Sequence, residues 1–279
     1  MKGVMLVCVI LALLVSSPVQ SQTLFDDFTG PLLDSGKWLG DYKWTSTLNH
    51  LEIGQVIAKK KLDMFNHCLG STEDGDAATQ TCSTRLAMQD GSGVTAMEVL
   101  VQPIALEQSR CTLNDDGATW IRIGGAFFNN SLPAEPPTDQ TNDIQAYISL
   151  RRNFNSTDPG NVMTIEAYIS RCQNGDCSQS VAVTTDGDNP LILGTVNVKK
   201  KVQLRMVYDP TNHRFLFKQG KKDPEVAMVY VPRENHAPFA QNGGFKRLEV
   251  RHSLANCSPV PASGWARAYF DNFYITRGP

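Results

Sequence analysis

Alternation of apolar and polar residues with a period of two is the feature that most restricts how this sequence can fold. It runs through segments 118–124, 143–151, 164–170, 202–208 and 248–251. Successive side chains of a β-strand point to opposite faces, so the pattern predicts half-buried strands. Shorter strands are predicted at 51–57, 95–101, 214–218, 227–231 and 266–275. Many short strands without amphipathic helices predict an all-β sandwich or barrel.

Turn-forming residues separate these segments. Asp90-Gly-Ser-Gly, Asp158-Pro-Gly and Asp209-Pro-Thr-Asn are typical turn sequences, because glycine, proline and aspartate favour the backbone angles of tight turns. A proline-rich stretch at 132–138 has similar strands on both sides, which indicates a surface loop. We therefore expect residues 22–279 to form a single β-domain.

The first 21 residues have the features of a secretory signal peptide. Lys2 precedes an unbroken apolar run at 4–15, and Val19 and Ser21 are small residues at the positions that a signal peptidase inspects. The run is shorter than the ~20 residues that a membrane helix needs. Cleavage before Gln22 would release a secreted protein without membrane insertion.

An even number of cysteines remains after the leader: Cys68, Cys82, Cys111, Cys172, Cys177 and Cys257. In an exported chain this indicates disulfides, although six cysteines allow fifteen pairings. Cys172–Cys177 is the simplest pairing, because the intervening Asn-Gly favours a tight turn. Cys68–Cys82 is the next, across a loop rich in Gly, Asp and Thr, and the two remaining cysteines would form the third bridge.

The charge composition argues against nucleic acid as a partner. Lysine and arginine total 26 and aspartate and glutamate total 28, giving a formal net charge of −2. Such a balance produces no general attraction to a polyanion or to an anionic membrane surface. The oligomeric state does not follow from the sequence.

Both ends of the chain resemble the concanavalin A-like lectin and glucanase superfamily. Segments 25–30 (FDDFTG) and 33–38 (LDSGKW) resemble its opening, 266–275 its closing strand, and 202–217 an internal strand–turn–strand. The resemblance implies a jelly-roll β-sandwich of two antiparallel sheets. It also implies that Phe25 and Phe28 lie close to Phe270 and Phe273 in the core, with the two aspartates solvated. Because the superfamily holds lectins, carbohydrate-binding modules, family 16 glucanases and polysaccharide lyases, fold does not settle activity.

The resemblance also suggests a structural calcium. Several relatives hold this ion with an aspartate of the last strand and backbone carbonyls from the N-terminal region, and Asp271 matches that aspartate. Oxygen ligands of this kind suit calcium. No other cofactor is expected.

One face of the predicted strands combines aromatic, arginine, amide and carboxylate side chains. The ligand-binding candidates are Trp120, Arg122, Gln145, Tyr147, Arg151, Tyr168, Arg205, Glu249 and Arg251. Aromatic rings stack on sugars, and planar polar groups bind hydroxyls and carboxylates. The superfamily resemblance implies that the concave sheet forms a glycan groove. The alternative is that Arg–Glu and Arg–Tyr pairs merely tie the sheet together.

A catalytic role has weaker support. The Glu-X-Asp-X-X-Glu pattern of family 16 glucanases is absent, and Glu166 and Glu249 belong to different predicted strands. A lyase could use arginine or glutamine to neutralise a uronate and tyrosine as base. Gln145-Ala-Tyr147 only loosely resembles the alginate lyase motifs. The catalytic candidates, if the chain is an enzyme, are Arg122, Gln145, Tyr147, Glu166 and Arg251.

The leading hypothesis is a secreted, disulfide-bonded sandwich that binds extracellular polysaccharide on its concave sheet. A polysaccharide lyase or glycoside hydrolase acting in the same groove is the alternative. A structural or adhesive protein without a glycan ligand is a third possibility. The sequence does not name the sugar or the source organism. Asn129, Asn155 and Asn256 begin Asn-X-Ser/Thr motifs, which matter if the source organism glycosylates secreted proteins.

Overall fold

The computed structural model describes residues 21–39, 50–72, 79–109, 117–129, 140–155, 157–175, 177, 179–184, 190–231, 237–238, 245–257 and 260–278. The strands in these ranges are β1 (Thr23–Asp26), β2 (Trp38–Leu39), β3 (His50–Ile57), β4 (Leu62–Leu69), β5 (Thr79–Met88), β6 (Val94–Gln108), β7 (Ala118–Asn129), β8 (Asp143–Asn153), β9 (Val162–Cys172), β10 (Ser180–Ala182), β11 (Leu191–Asn197), β12 (Val202–Asp209), β13 (Arg214–Gln219), β14 (Val226–Val229), β15 (Ala237–Pro238), β16 (Lys246–Ala255) and β17 (Ser263–Arg277). None of the described residues belongs to a helix that could cross a bilayer. The predicted leader, apart from Ser21, lies outside these ranges.

The strands form two antiparallel sheets. The first has the order β14-β13-β12-β6-β17-β4-β3, with β1 also paired to β17. The second has the order β10-β9-β8-β7-β16-β5-β2, with β11 paired to β9 and β15 to β7. Each sheet combines consecutive strands, such as β12-β13-β14 and β7-β8-β9, with pairs that are distant in sequence, such as β6-β17 and β16-β5, as in a jelly roll. The predicted all-β sandwich of two antiparallel sheets is confirmed.

The aliphatic faces of the two sheets meet in one core, and the predicted sides of the strands are confirmed. Alternation places the aliphatic residues of the central strands inward, and those buried there are Ile121, Ile123, Ile144, Ala146, Ile148, Leu150, Ile165, Ala167, Ile169, Leu204, Met206, Leu248 and Val250. Val202 is partly buried against the same cluster. The remaining face of each strand is therefore free to carry polar chemistry.

Strand β4 was not predicted, because its side chains depart from simple alternation. Asn66 points inward, is fully buried, and donates from Nδ2 to the carbonyl oxygen of Val250 at 2.8 Å. Phe65 lies on the opposite face and stacks on Trp265 with 5.4 Å between ring centroids. A polar residue inside and an aromatic one outside conceal the period of two.

The N-terminal segment closes the sandwich with an aromatic cluster. The ring centroid of Phe25 lies 5.9 Å from that of Phe273, and Trp38 lies 5.5 Å from Phe273 and 5.8 Å from Phe28. The expected packing of this segment against the last strand is present. The expectation of a solvated Asp26 is wrong: its Oδ2 accepts a 2.7 Å hydrogen bond from Trp38 Nε1, and its Oδ1 accepts one of 2.8 Å from the Phe28 amide.

Two predicted disulfides are present, Cys68–Cys82 and Cys172–Cys177. Cys257 is also disulfide-bonded. The predicted partner of the third bridge, Cys111, lies outside the described residues. Disulfides fit an exported protein, because oxidising compartments preserve them.

A buried lysine lies at the edge of the core. Lys246 is 2% exposed, and its Nζ donates to the carbonyl oxygen of Ala126 at 2.5 Å and lies 4.3 Å from the ring centre of Phe127. Burial, with a smaller contribution from Arg277, lowers the pKa of Lys246 to about 7. An ammonium group in this position is disfavoured because it has lost its hydration.

Candidate functional site

The polar side of the second sheet carries a dense group of aromatic and charged side chains. We call it the arginine face, and it consists of Arg85, Trp120, Arg122, Tyr147, Arg151, Glu166, Tyr168, Arg247, Glu249 and Arg251. Strands β9, β8, β7, β16 and β5 lie side by side. Arg122 is directly opposite Glu249, Tyr147 is opposite Tyr168, and Trp120 is opposite both Arg151 and Arg251.

Glu249 is the centre of the cluster and has no exposed surface. Its two carboxylate oxygens lie 2.9 Å from Arg85 Nε, 2.7 Å from Arg122 Nε and 3.2 Å from Arg247 Nε. Burial raises the pKa of Glu249, but the three guanidiniums outweigh it and hold the pKa well below the ordinary value. This carboxylate stays ionised and is unsuited to donate a proton.

Tyr147 lies beneath the arginines and is 1% exposed. The guanidinium of Arg122 lies 4.2 Å from its ring centre, and Arg247 Nη2 donates to its hydroxyl at 2.6 Å. The hydroxyl in turn donates to Gln145 Oε1 at 2.9 Å. Gln145 is itself buried. These contacts favour the reading in which Tyr147, Gln145 and Glu249 tie the sheet together.

A glycine makes room for this arrangement. Gly124 lies opposite Tyr147 on β7 with φ +155°, and a Cβ atom there would come within 2.4 Å of the tyrosine Cδ1 and 2.2 Å of the Ala146 carbonyl oxygen. The bare backbone lets the tyrosine ring lie flat across the neighbouring strand. Arg122 and Arg247 then stack against the ring.

Trp120 occupies the more open part of the arginine face. The guanidiniums of Arg151 and Arg251 lie 5.3 Å and 5.2 Å from its ring centre, a distance typical of cation–π contact. The indole group also interacts with Glu166 and lowers the pKa of that carboxyl group, against the larger effect of burial, which raises it. The tryptophan is only partly buried, so the arginines hold its ring in place without covering it completely.

A surface cavity of about 290 Å³ opens beside this tryptophan. Its lining residues are Trp120, Arg122, Arg151, Glu166, Tyr168, Ser170, Ser180, Ala182, Pro190 and Arg251. A second cavity, of about 180 Å³, shares Arg151, Glu166 and Pro190 with it. Together they form a depression along β9 that has aromatic, cationic and hydroxyl groups in its walls.

The described residues that line the cavity do not supply the two carboxyl groups that glycoside hydrolysis uses. Burial raises the pKa of Glu166, partly offset by Arg151 Nη1 at 3.5 Å from its carboxylate. Burial likewise raises the pKa of Tyr168 to about 12, despite the hydrogen bond that Arg122 donates to its hydroxyl. Glycoside hydrolysis requires a proton-donating carboxyl group and a second functional carboxylate. Among the described residues that line the cavity Glu166 is the one carboxylate, and Glu249 is occupied by arginines.

Arg205 does not belong to this site, and its predicted position is wrong. It lies on β12 of the first sheet, opposite Glu98 on β6, and forms ion pairs with Glu98 at 3.6 Å and with Glu225. Alternation had placed it correctly on an outward face. A sandwich has two outward faces, however, and a single strand does not reveal to which sheet it belongs.

Asp271 lies on β17, next to the bulge at 271–274, close to the point where β1 pairs with this strand. Within the described ranges there is no group of three or more His, Cys, Asp or Glu side chains that could hold a metal ion. Calcium binding here would rest on one carboxylate and backbone carbonyls. It stays a prediction.

Two residues of the arginine face were not among the sequence candidates. Arg247 continues the alternation of Glu249 and Arg251 by one step, so extending that strand would have found it. Arg85 lies on β5, whose alternation is weak, and it meets Glu249 only through a pairing across 164 residues. The sequence around Arg85 therefore gave no indication that it would pair with Glu249.

No protein-family model matches the sequence, and no curated protein matches it. Several solved structures resemble the chain. An immunostimulatory antigen and pseudo β-1,3-glucanase of Mycobacterium tuberculosis is 12% identical, with 93% of this chain and 98% of that one covered and a TM-score of 0.41. A Bacillus licheniformis β-glucanase is 9% identical, with 93% of this chain and 98% of that one covered and a TM-score of 0.39. An alginate lyase of Klebsiella pneumoniae is 12% identical, with 80% of this chain and 84% of that one covered and a TM-score of 0.40.

These structures include glucanases and a lyase, the classes named by the superfamily resemblance. At such low identity and TM-score the similarity carries no argument about activity or substrate. The fold class rests on the two sheets described above, and the function has to be inferred from the arginine face itself.

Proposed function

We propose that this chain is a secreted carbohydrate-binding protein whose arginine face recognises extracellular polysaccharide. The observation that carries the proposal is the partly exposed Trp120, held between Arg151 and Arg251 at the edge of the 290 Å³ cavity. An aromatic ring in a fixed orientation offers an apolar surface for a sugar ring. The neighbouring guanidiniums and serine hydroxyls are suited to bind the ring's hydroxyl groups.

Binding accounts for the geometry better than catalysis does. The catalytic candidates Tyr147 and Gln145 are buried, and Glu249 is enclosed by three arginines. The raised pKa of Tyr168 makes its hydroxyl a poor base near neutral pH. Trp120, Tyr168 and Arg251 line the cavity and would hold a sugar, whereas Glu166 has no second carboxylate beside it among the described lining residues.

Affinity measurements on matched variants test the proposal. Trp120→Ala and Tyr168→Ala should each weaken polysaccharide binding by about fivefold, since an aromatic contact contributes on the order of 1 kcal/mol. Trp265→Ala is the control, because this tryptophan lies on the first sheet against Phe65. Isothermal titration with neutral and uronate-rich polysaccharides provides the measurement. Equal affinities for the wild type and all three variants would contradict the assignment of the face.

Mass spectra of the soluble products distinguish binding from catalysis. Binding predicts that the polymer is recovered intact. Oligosaccharides one water lighter than hydrolysis products would identify a lyase, and ordinary oligosaccharides a hydrolase with Glu166 as the first residue to replace. A protein that binds no polysaccharide and cleaves none would favour the structural or adhesive alternative.

A further inference from the structure

We propose that the polysaccharide recognised by the arginine face is acidic, and that Arg251 binds one of its anionic groups. The inference rests on the proposed function and names the class of ligand for the same site. The relevant chemistry is a carboxylate or a sulfate carried on a sugar ring. Three observations support it: the charge of the face, the unpaired state of Arg251, and the position of that residue beside Trp120.

The arginine face carries more positive than negative charge. Five arginines, at positions 85, 122, 151, 247 and 251, stand against Glu166 and Glu249. This leaves a formal excess of three positive charges on a protein whose whole chain carries −2. Concentrating cations on one sheet is costly unless a ligand compensates them, because like charges in a partly buried site repel one another.

Four of the five arginines already have polar partners. Arg85, Arg122 and Arg247 share the carboxylate of Glu249. Arg151 donates from Nε to Asn153 Oδ1 at 2.9 Å and from Nη1 to Glu166 at 3.5 Å. The geometry of these groups is determined by the protein itself.

Arg251 is different. Within the described ranges its guanidinium makes no hydrogen bond and no ion pair, and its Nε is buried without an acceptor. Its guanidinium lies 5.2 Å from the ring centre of Trp120. A buried N–H group without an acceptor is unfavourable, and a planar guanidinium matches a carboxylate or sulfate with two parallel hydrogen bonds. The unpaired group lines the cavity, so that an incoming anion can reach it.

The neighbours of Arg251 favour a sugar as the carrier of the anion. Trp120 and Tyr168 line the same cavity and offer flat apolar surfaces, and Ser170 and Ser180 offer hydroxyls. Glu166 can accept a hydrogen bond from a sugar hydroxyl, whereas it would repel a closely spaced row of phosphates. With no general positive charge on the chain, long-range attraction to nucleic acid is lacking.

The first experiment compares two ligands that differ only in charge. Binding of the wild-type protein is measured for polygalacturonate and for the same polymer after full methyl esterification. We expect the acidic form to bind at least about tenfold more tightly, which corresponds to one charge-assisted hydrogen-bonded contact. Dextran sulfate, with unmodified dextran as its neutral counterpart, tests the sulfate source in the same way.

Variants then locate the anion. Arg251→Gln should lower the affinity for the acidic polymer about tenfold and leave the affinity for the esterified polymer unchanged. Trp120→Ala should weaken binding of both forms, and Arg205→Gln on the first sheet should affect neither. Thermal melting of each variant confirms folding. If Arg251→Gln does not fold, the comparison of charged and neutral ligands on the wild type remains decisive.

The outcomes separate the two proposals. Equal affinity for the acidic and neutral members of each pair would overturn the acidic ligand and retain polysaccharide binding. No binding to any of the four polymers would overturn both. Binding of single-stranded DNA as tightly as polygalacturonate, with the same dependence on Arg251, would show that the face recognises anions without regard to the sugar and would refute the inference.

Discussion

Replacing Glu249 by glutamine tests whether this carboxylate is structural. It is fully buried, and it is paired with three arginines at 2.7–3.2 Å. Removing one partner of a buried ion pair costs ~3–5 kcal/mol, because the remaining charges stay buried without compensation. Glutamine keeps one acceptor oxygen, so we expect Glu249→Gln to lower the free energy of unfolding by about 3 kcal/mol.

The matched control is Glu225→Gln. Glu225 also pairs with an arginine, Arg205, but its side chain is 32% exposed and it directly precedes β14 of the first sheet. Exposed pairs contribute ~0–1 kcal/mol. With a urea dependence of about 3 kcal/mol per molar, the unfolding midpoint should fall by about 1 M for Glu249→Gln and by less than ~0.3 M for the control. Circular dichroism during urea unfolding measures both midpoints.

The pH dependence provides a second check on Glu249. Its pKa in the folded protein lies well below the ordinary value of 4.5. The carboxylate therefore contributes its full stabilisation above about pH 5, and this contribution is lost only as the pH falls towards the folded pKa. The difference between wild type and variant should be constant from pH 6 to pH 8. Equal midpoints for Glu249→Gln and Glu225→Gln at pH 7 would refute the structural role.

Two further predictions concern the packing around the site. Lys246→Met should stabilise the protein most at or below pH 7, and its advantage should shrink by up to about 1.4 kcal/mol per pH unit towards pH 10.5. The advantage of methionine shrinks as the pH rises because the unfolded lysine retains its proton above pH 7 while the folded one loses it, which stabilises the wild type. Urea unfolding of both proteins at pH 7 and pH 9 measures the change. Gly124→Ala should destabilise by ~2 kcal/mol or more, because the new Cβ collides with the ring of Tyr147. Thermal melting measures this loss of stability. Gly160→Ala is the control, because a Cβ atom there meets nothing within 4 Å.

Local sequence contained most of the information about the strands. The inward residues of β7, β8, β9 and β16 follow from alternation, because burial of one face requires apolar residues at every second position. The Cys172–Cys177 bridge followed from an Asn-Gly turn within its own loop. Strand β4 was missed because Asn66, a polar residue, points into the interior, where the Val250 carbonyl of a distant strand accepts its hydrogen bond.

The candidate site could be predicted only in part. Alternation correctly gathered Trp120, Arg122, Tyr168 and Arg251 on one side of their strands, but it could not show that Tyr147 would be covered. Burial of the tyrosine depends on Gly124 across the strand pair and on Arg247 above the ring. Whether an aromatic residue supports a face or forms its surface depends on its neighbours on other strands.

The sequence by itself determined the all-β fold class of this protein, the inward side of each central strand and the Cys172–Cys177 disulfide. Tertiary structure alone decided that Arg205 belongs to the first sheet, and that Glu249 lies between Arg85 and Arg122, 164 and 127 residues away along the chain. The physical reason is that the alternation of apolar and polar residues shows only which side of a single strand faces the core. The hydrogen-bonded neighbours of that strand, which create the arginine face, are chosen by packing of the whole sandwich.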